Sequence, residues 1–120
     1  MPVSCPRVLV CGSRYWTDGA LVLSVLRELG PSVVIHGAAR GADSLAGSAA
    51  EQLGFPVETF PAKWEVHGRA AGPVRNEQML REGHPDMVLV FHDDPGLGRG
   101  TRDMVARARA AGIRVRVVHH

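Results

Sequence analysis

The sequence predicts a three-layer α/β sandwich of the Rossmann-like kind, built on a five-stranded parallel sheet. Three observations carry this. Short runs of apolar, β-branched residues recur along the 120 residues, and the clearest of them are continuously apolar, as strands covered on both faces are. Segments with apolar residues at helical spacing lie between them. Five such strands interleave with four helical segments, the pattern of parallel strands joined by right-handed crossovers. The expected strand order is 3-2-1-4-5, with ligands binding beyond the carboxyl ends of the strands, at the switch between strands one and four.

In chain order, Arg7 to Cys11 is the first strand. Gly12, Ser13 and Arg14 follow it directly, putting a flexible residue, a hydroxyl and a guanidinium at the strand's end. Tyr15 and Trp16 come next, placed either to stack on a ring or to pack over the sheet edge. Thr17 or Asp18 caps a helix carrying Leu21, Val22, Val25, Leu26 and Leu29, which Gly30-Pro31 stops. Val33 to Ile35 is the second strand. It runs into a small-residue turn holding Gly37, Arg40 and Gly41, then an alanine-rich helix from about Ala42 to Leu53. Asp43 in that helix start either caps it or accepts from a sugar hydroxyl.

Val57 to Phe60 is the third strand. Residues 61 to 73 read as a long connection, and Trp64, His67 and Arg69 give it a functional cast. The next helix, about Val74 to Glu82, opens with Arg75-Asn76. Arginine in a first turn opposes the helix dipole, so Arg75 is expected to face an anion. Asp86 to Phe91 is the fourth strand. His92-Asp93-Asp94 leaves it, and Gly98-Arg99-Gly100-Thr101 forms a second glycine turn before a helix from about Thr101 to Ala111. Ile113 to Val118 alternates apolar residues with Arg114 and Arg116, as an edge strand with one wet face does.

Composition bounds the function. Residues 1–120 are expected to form one domain. Hydrophobic residues make up 45% and aromatic ones 5%, so the core is mostly Val, Leu and Ala. Fourteen basic against 12 acidic residues is not the balance of a strongly cationic nucleic-acid binder. Lys63 is the sole lysine. Cys5 and Cys11 are too few for a disulfide scaffold and lack metal-ligand spacing, and Cys11 reads as a buried thiol. His36 reads as a satisfied buried histidine, and His119 and His120 receive no role. One short His92-Asp93-Asp94 cluster is a poor metal site, so neither metal nor cofactor is expected. No signal-peptide pattern and no apolar run near the roughly 20 residues of a membrane span is present, which predicts a soluble, cytoplasmic protein without a membrane partner.

On the predicted sheet the chemistry converges. Gly12, Ser13 and Arg14 follow strand one, and Gly37, Arg40, Gly41 and Asp43 follow strand two. Arg75 and Asn76 lie near a helix start, and Gly98, Arg99, Gly100 and Thr101 follow strand four. Arginines sharing a rim repel unless an anion sits among them. Glycine turns leading into helices add oriented N–H donors. A phosphorylated small molecule, most simply a nucleotide, is the ligand these features suggest.

In this order the four motifs resemble the SLOG superfamily, which includes the Smf DNA-processing proteins and the "lonely guy" phosphoribohydrolases. The chain resembles a small stand-alone YspA-type SLOG domain. The resemblance implies a nucleotide-derived ligand, with the phosphoribohydrolases' catalytic Arg and following Met matched by Arg75 and Met79. Their Pro-Gly-Gly-x-Gly-Thr loop is matched by residues ending in Gly98-Arg99-Gly100-Thr101, with Leu97 replacing a glycine. Their glutamate three residues after the Thr is replaced by Met104. Methionine can neither stabilise the positive charge that develops on the ribose nor activate water. Asp103 beside it is turned by roughly 100° on a helix of 3.6 residues per turn, which leaves Asp43 or Asp93 as substitutes.

Three functions are therefore carried forward. The first is binding of a nucleotide or nucleotide-derived ligand, as in a sensor. The second is N-glycoside hydrolysis of a nucleoside monophosphate by Arg75 and Asp43. The third is binding of single-stranded nucleic acid. The resemblance also implies a homo-oligomer, and the stretch near Trp64 is its candidate surface.

Overall fold

The computed structural model describes residues 5–120. Its strands are β1 (Arg7–Gly12), β2 (Val33–His36), β3 (Val57–Thr59), β4 (Met87–Phe91) and β5 (Arg114–Val118). They form one parallel sheet in the order β3-β2-β1-β4-β5. The helices are α1 (Gly19–Leu29), α2 (Ala42–Leu53), α3 (Trp64–His67), α4 (Ala71–Gly83) and α5 (Gly98–Ala110). The predicted architecture and strand order are thus what is found.

The period of two along β1 sorts the core into two layers. Val8 and Val10 point to one face and pack with Val22, Val25 and Leu26 of α1 and with Ala42, Ala46, Ala49 and Ala50 of α2. Leu9 and Cys11 point to the other, against Met79 of α4 and Met104, Val105 and Ala108 of α5. The alanine stripe explains how α2 lies close to the sheet: small side chains let its backbone approach. The edge strand β5 keeps Arg114 and Arg116 exposed. At the amino-terminal edge of the sheet, Arg7 bonds Gly83 O at 2.6 Å and pairs with Glu58 at 2.6 Å, so its charge is matched.

Helix starts depart from the sequence-based expectation. Residues 61–73 are not an open connection. Trp64–His67 is a short helix, Gly68–Ala70 a 3-10 turn, and α4 begins at Ala71 rather than Val74, giving five helices instead of four. Pro73 is tolerated because it is the third helical residue, where an N–H has no intrahelical partner. Arg75 is consequently the fifth residue of α4, outside the first turn, and the dipole argument for it lapses. Likewise α5 begins at Gly98 rather than Thr101, so Gly98-Arg99-Gly100 is helical and the N-cap position falls on the residue before it. Leu97 holds that position with φ +64°. This left-handed conformation costs a non-glycine residue on the order of 1 kcal/mol. Packing of the Leu97 side chain against the second core layer offsets it.

Candidate functional site

The carboxyl ends of the strands form a crest where four distant segments are tied by hydrogen bonds into a closed ring. Ser13 at the end of β1 donates its N–H to Phe91 O of β4 (2.9 Å) and accepts from the Ala42 N–H of α2 through its carbonyl (3.0 Å). Within the turn before α2, Asp43 Oδ2 accepts from the N–H groups of Gly37 (3.0 Å) and Ala39 (3.3 Å). From α4, Arg75 Nη1 donates to Gly37 O at 2.7 Å, and its Nε donates to Asn76 Oδ1 at 3.2 Å. Asn76 Nδ2 in turn donates to Gly100 O (3.1 Å) and Asp103 Oδ2 (3.0 Å) of α5. Thr101 Oγ1 closes the ring on Gly12 O at 3.2 Å.

This ring brings together Gly12, Ser13, Gly37, Asp43, Arg75, Asn76, Gly100 and Thr101. Gly41 belongs to it as well. With φ +76° it has no strain-free substitute, and a Cβ there would meet the Arg14 carbonyl carbon at 2.5 Å. Arg14, Arg40 and Arg99 extend from the same loops as exposed side chains, and Gly98 is the first residue of α5. The crest therefore has an inner ring of bonded groups and an outer set of exposed guanidiniums.

Two of the helices that start here have no side-chain cap. Asp18 caps α1 by accepting from Leu21 N–H at 3.0 Å. By contrast α2 has Gly41 at its N-cap and α5 has Leu97, neither making a side-chain cap bond. Asp43 is thus not the helix cap that its position suggested. It is the second helical residue, and its carboxylate braces the preceding turn. First-turn donors left without caps are an anion's natural partners.

The buried groups below the crest shift together. Burial raises the pKa of Asp43, against the lowering pull of the Ala39 N–H, the Arg75 charge and the Gly37 N–H. Burial lowers that of His36, and Arg75 lowers it further. The His36 ring is therefore neutral at pH 7. Its Nδ1 accepts from Ala38 N–H at 2.9 Å, which leaves the proton on Nε2 beside Gly47. The Cys11 thiol is pushed up by burial and by Asp43, so it is an inert core group.

Carboxylate placement differs from expectation. Met104 is fully buried in the layer below α5, so the position carries no acid and faces no ligand. Asp103, expected to turn away, instead reaches Asn76 and pairs with Arg107 at 2.8 Å. The spacing of Asp103 and Arg107, one helical turn apart, was the available signal. Asp93 faces a different partner, His120.

His120 was given no role, yet it ties three segments together. Its ring stacks on Trp16 with centroids 4.6 Å apart and an interplanar angle of 8°. Nε2 lies 2.8 Å from Asp18 and Nδ1 2.9 Å from Asp93. Trp16 is buried between this ring and Phe91, whereas Tyr15 is exposed. The His120 pKa is raised from 6.5, first by its bond to Asp93 and then by that to Asp18. The carboxylates are both lowered from 3.8 by bonds to His120. A raised histidine stabilises fully below its unfolded value and loses that contribution as pH rises through its folded value. The lowered carboxylates act from above 3.8. The contact therefore works between those limits and fades on the alkaline side of 6.5. Thermal midpoints of wild type and His120→Gln should converge as pH rises past this point, with wild type higher below it. A constant difference across the range refutes the assignment.

The remaining sequence candidates lie elsewhere. His92 and Asp94 serve their own turn: His92 Nδ1 accepts from Asp94 N–H (3.1 Å) and Asp94 Oδ1 from Gly96 N–H (2.8 Å). A groove of about 480 Å³ runs between α4 and α5 beside Leu80, Arg107 and Ile113, toward the amino-terminal edge of the sheet and away from the crest. A smaller pocket of about 60 Å³ adjoins Arg75. No helix among the described residues is long and apolar enough to cross a membrane.

Comparison with known proteins agrees with this fold. The Gene 61 protein of Mycobacterium phage D29 is 46% identical over 121 residues, covering 91% of this chain and 93% of that protein. The X-ray structure of DNA processing protein A from Streptococcus pneumoniae shares the fold, with a TM-score of 0.75 at 23% identity. The match covers 94% of this chain and 50% of that one, so the present chain corresponds to about half of it. The model of the YspA, cpYpsA-related SLOG family matches residues 6–67, from the start of β1 through α3, and the chain belongs to that family.

Proposed function

We propose that the crest binds a nucleotide or nucleotide-derived phosphorylated ligand, in the manner of a sensor, and that residues 1–120 act as one binding domain in the cytoplasm. One observation carries this reading. Arg75 is half-buried, yet among the described residues it makes no ion pair, while Arg7, Arg81 and Arg107 all do. Its guanidinium has five N–H donors and spends two on Gly37 O and Asn76 Oδ1. A part-buried charge with spare donors is costly until an anion meets it. A phosphate fits that fork, with the open starts of α2 and α5 beside it. Arg14, Arg40 and Arg99 supply the outer charge that draws it in.

The test is calorimetric titration with AMP, with adenosine and inorganic phosphate as controls, while free base is followed by chromatography. Saturable AMP binding without base release supports the sensor reading, and absence of binding by any nucleoside monophosphate refutes it. Base release would favour the hydrolase, with Arg75 and either Asp43 or Asp103 as its groups. The buried Met104 argues against that outcome, since no carboxylate stands where the phosphoribohydrolases keep theirs. Binding of an oligonucleotide in preference to AMP, falling steeply with salt, would assign the crest to single-stranded nucleic acid instead. Pairing of two copies through exposed Trp64, Val66 and Val74 belongs to the same proposal and is read by light scattering.

A further inference from the structure

We propose that the pocket between α3 and α4 is a second phosphate subsite, so that the ligand carries two adjacent phosphate groups, both within reach of Arg75. The pocket measures about 60 Å³, the scale of a single phosphate group, and Arg75 forms part of its wall while bonding Gly37 at the crest. Lys63 and His67 face it from α3 and the turn before it, Gln78 adds an amide, and Ala71 and Val74 give an apolar side. No carboxylate is among the lining residues. Two permanent cations, Lys63 and Arg75, line so small a space and repel one another, and an anion relieves that repulsion. The groove between α4 and α5 makes the contrast: there Glu77 and Arg81 lie side by side and pair at 3.5 Å.

The placement also accounts for the folding of residues 61–73. The short α3 turns Lys63 and His67 toward one opening, and the 3-10 turn brings α4 back beneath them. Trp64 packs its ring 3.8 Å from where a Cβ on Gly72 would lie, and 60% of its surface is open. It stands beside the pocket as an indole whose emission responds to charge arriving there. The inference rests on the crest reading for the ligand's chemistry, and the experiment separates the two.

AMP and ADP are titrated calorimetrically into wild type and into the double variant Lys63→Ala/His67→Ala. Both side chains are exposed, so the variant keeps the core intact. Wild type should prefer ADP by at least about tenfold, the value of one charge-assisted phosphate contact, and the variant should lose that preference. Equal affinities in wild type, or a preference that survives the substitutions, overturns the inference and leaves the crest reading standing. If neither nucleotide binds, the crest reading has failed, and the subsite is judged by Trp64 fluorescence titrated with inorganic pyrophosphate. A saturable change, absent in Trp64→Phe and in the double variant, sustains the subsite; no change ends it.

Discussion

Gly12→Ala lowers the midpoint of thermal unfolding by on the order of 10 °C. Gly12 ends β1 with φ +150°, a conformation that L side chains rarely adopt. A Cβ there would fall on the carbonyl oxygen of Phe91 and within 2.8 Å of its amide nitrogen. Both atoms belong to the neighbouring central strand, in register with Gly12 itself, so neither can swing aside as a flexible side chain would. Backbone strain and overpacking together cost about 3 kcal/mol. The loss is felt at the crest because Gly12 O accepts from Thr101 and Ser13 N–H bonds Phe91 O. Circular dichroism melts of wild type and Gly12→Ala decide the matter, and a difference under a few degrees would show that β1 and β4 can part at this end without cost.

Arg75→Ala abolishes nucleotide binding, with a fall in affinity of about a hundredfold or more, as loss of a forked charged contact requires. Its effect on stability is small. The bond to Gly37 O is lost, but so is a half-buried guanidinium without an ionic partner. Gly37→Ala provides the companion experiment. A Cβ at Gly37 would coincide with Arg75 Nη1 and lie 2.6 Å from its Cζ, so it displaces the guanidinium while leaving its charge on the protein. Both variants should fail in the same calorimetric titration. Were Gly37→Ala to bind as wild type does, the position of Arg75 would be irrelevant and its charge alone would suffice. Arg75→Lys distinguishes these further, because a lysine ammonium keeps the charge and lacks the planar fork.

The way sequence-based expectation met the structure follows from the range of the forces involved. Continuous apolar runs such as Val8–Val10 and Val88–Phe91 named the buried strands, because only a sheet covered on both faces tolerates them. Asp18, Gly30 and Gly54 marked helix ends through local backbone and capping chemistry, and the helix bounds near them were read closely. The errors cluster at α4 and α5. Pro73 and Gly98-Arg99-Gly100 look like loop by intrinsic preference, yet both lie in the first helical turn, where missing N–H bonds carry no penalty. The three-residue shift at α4 moved Arg75 out of the first turn, and the shift at α5 made Gly98 to Gly100 helical.

Taken alone, the amino-acid order determined the α/β class, the strand order and the set of segments that gather at one edge, since these follow from hydrophobic period and connection rules. Only the folded molecule decided the pairings within that set. Arg75 meets Gly37 O across 38 positions, Thr101 meets Gly12 O across 89, and His120 reaches Asp18 across 102. Hydrogen bonds act over about 3 Å and depend on direction. Which donor finds which acceptor is therefore set by how five helices seat on the sheet, a property of packing that no local stretch of sequence contains.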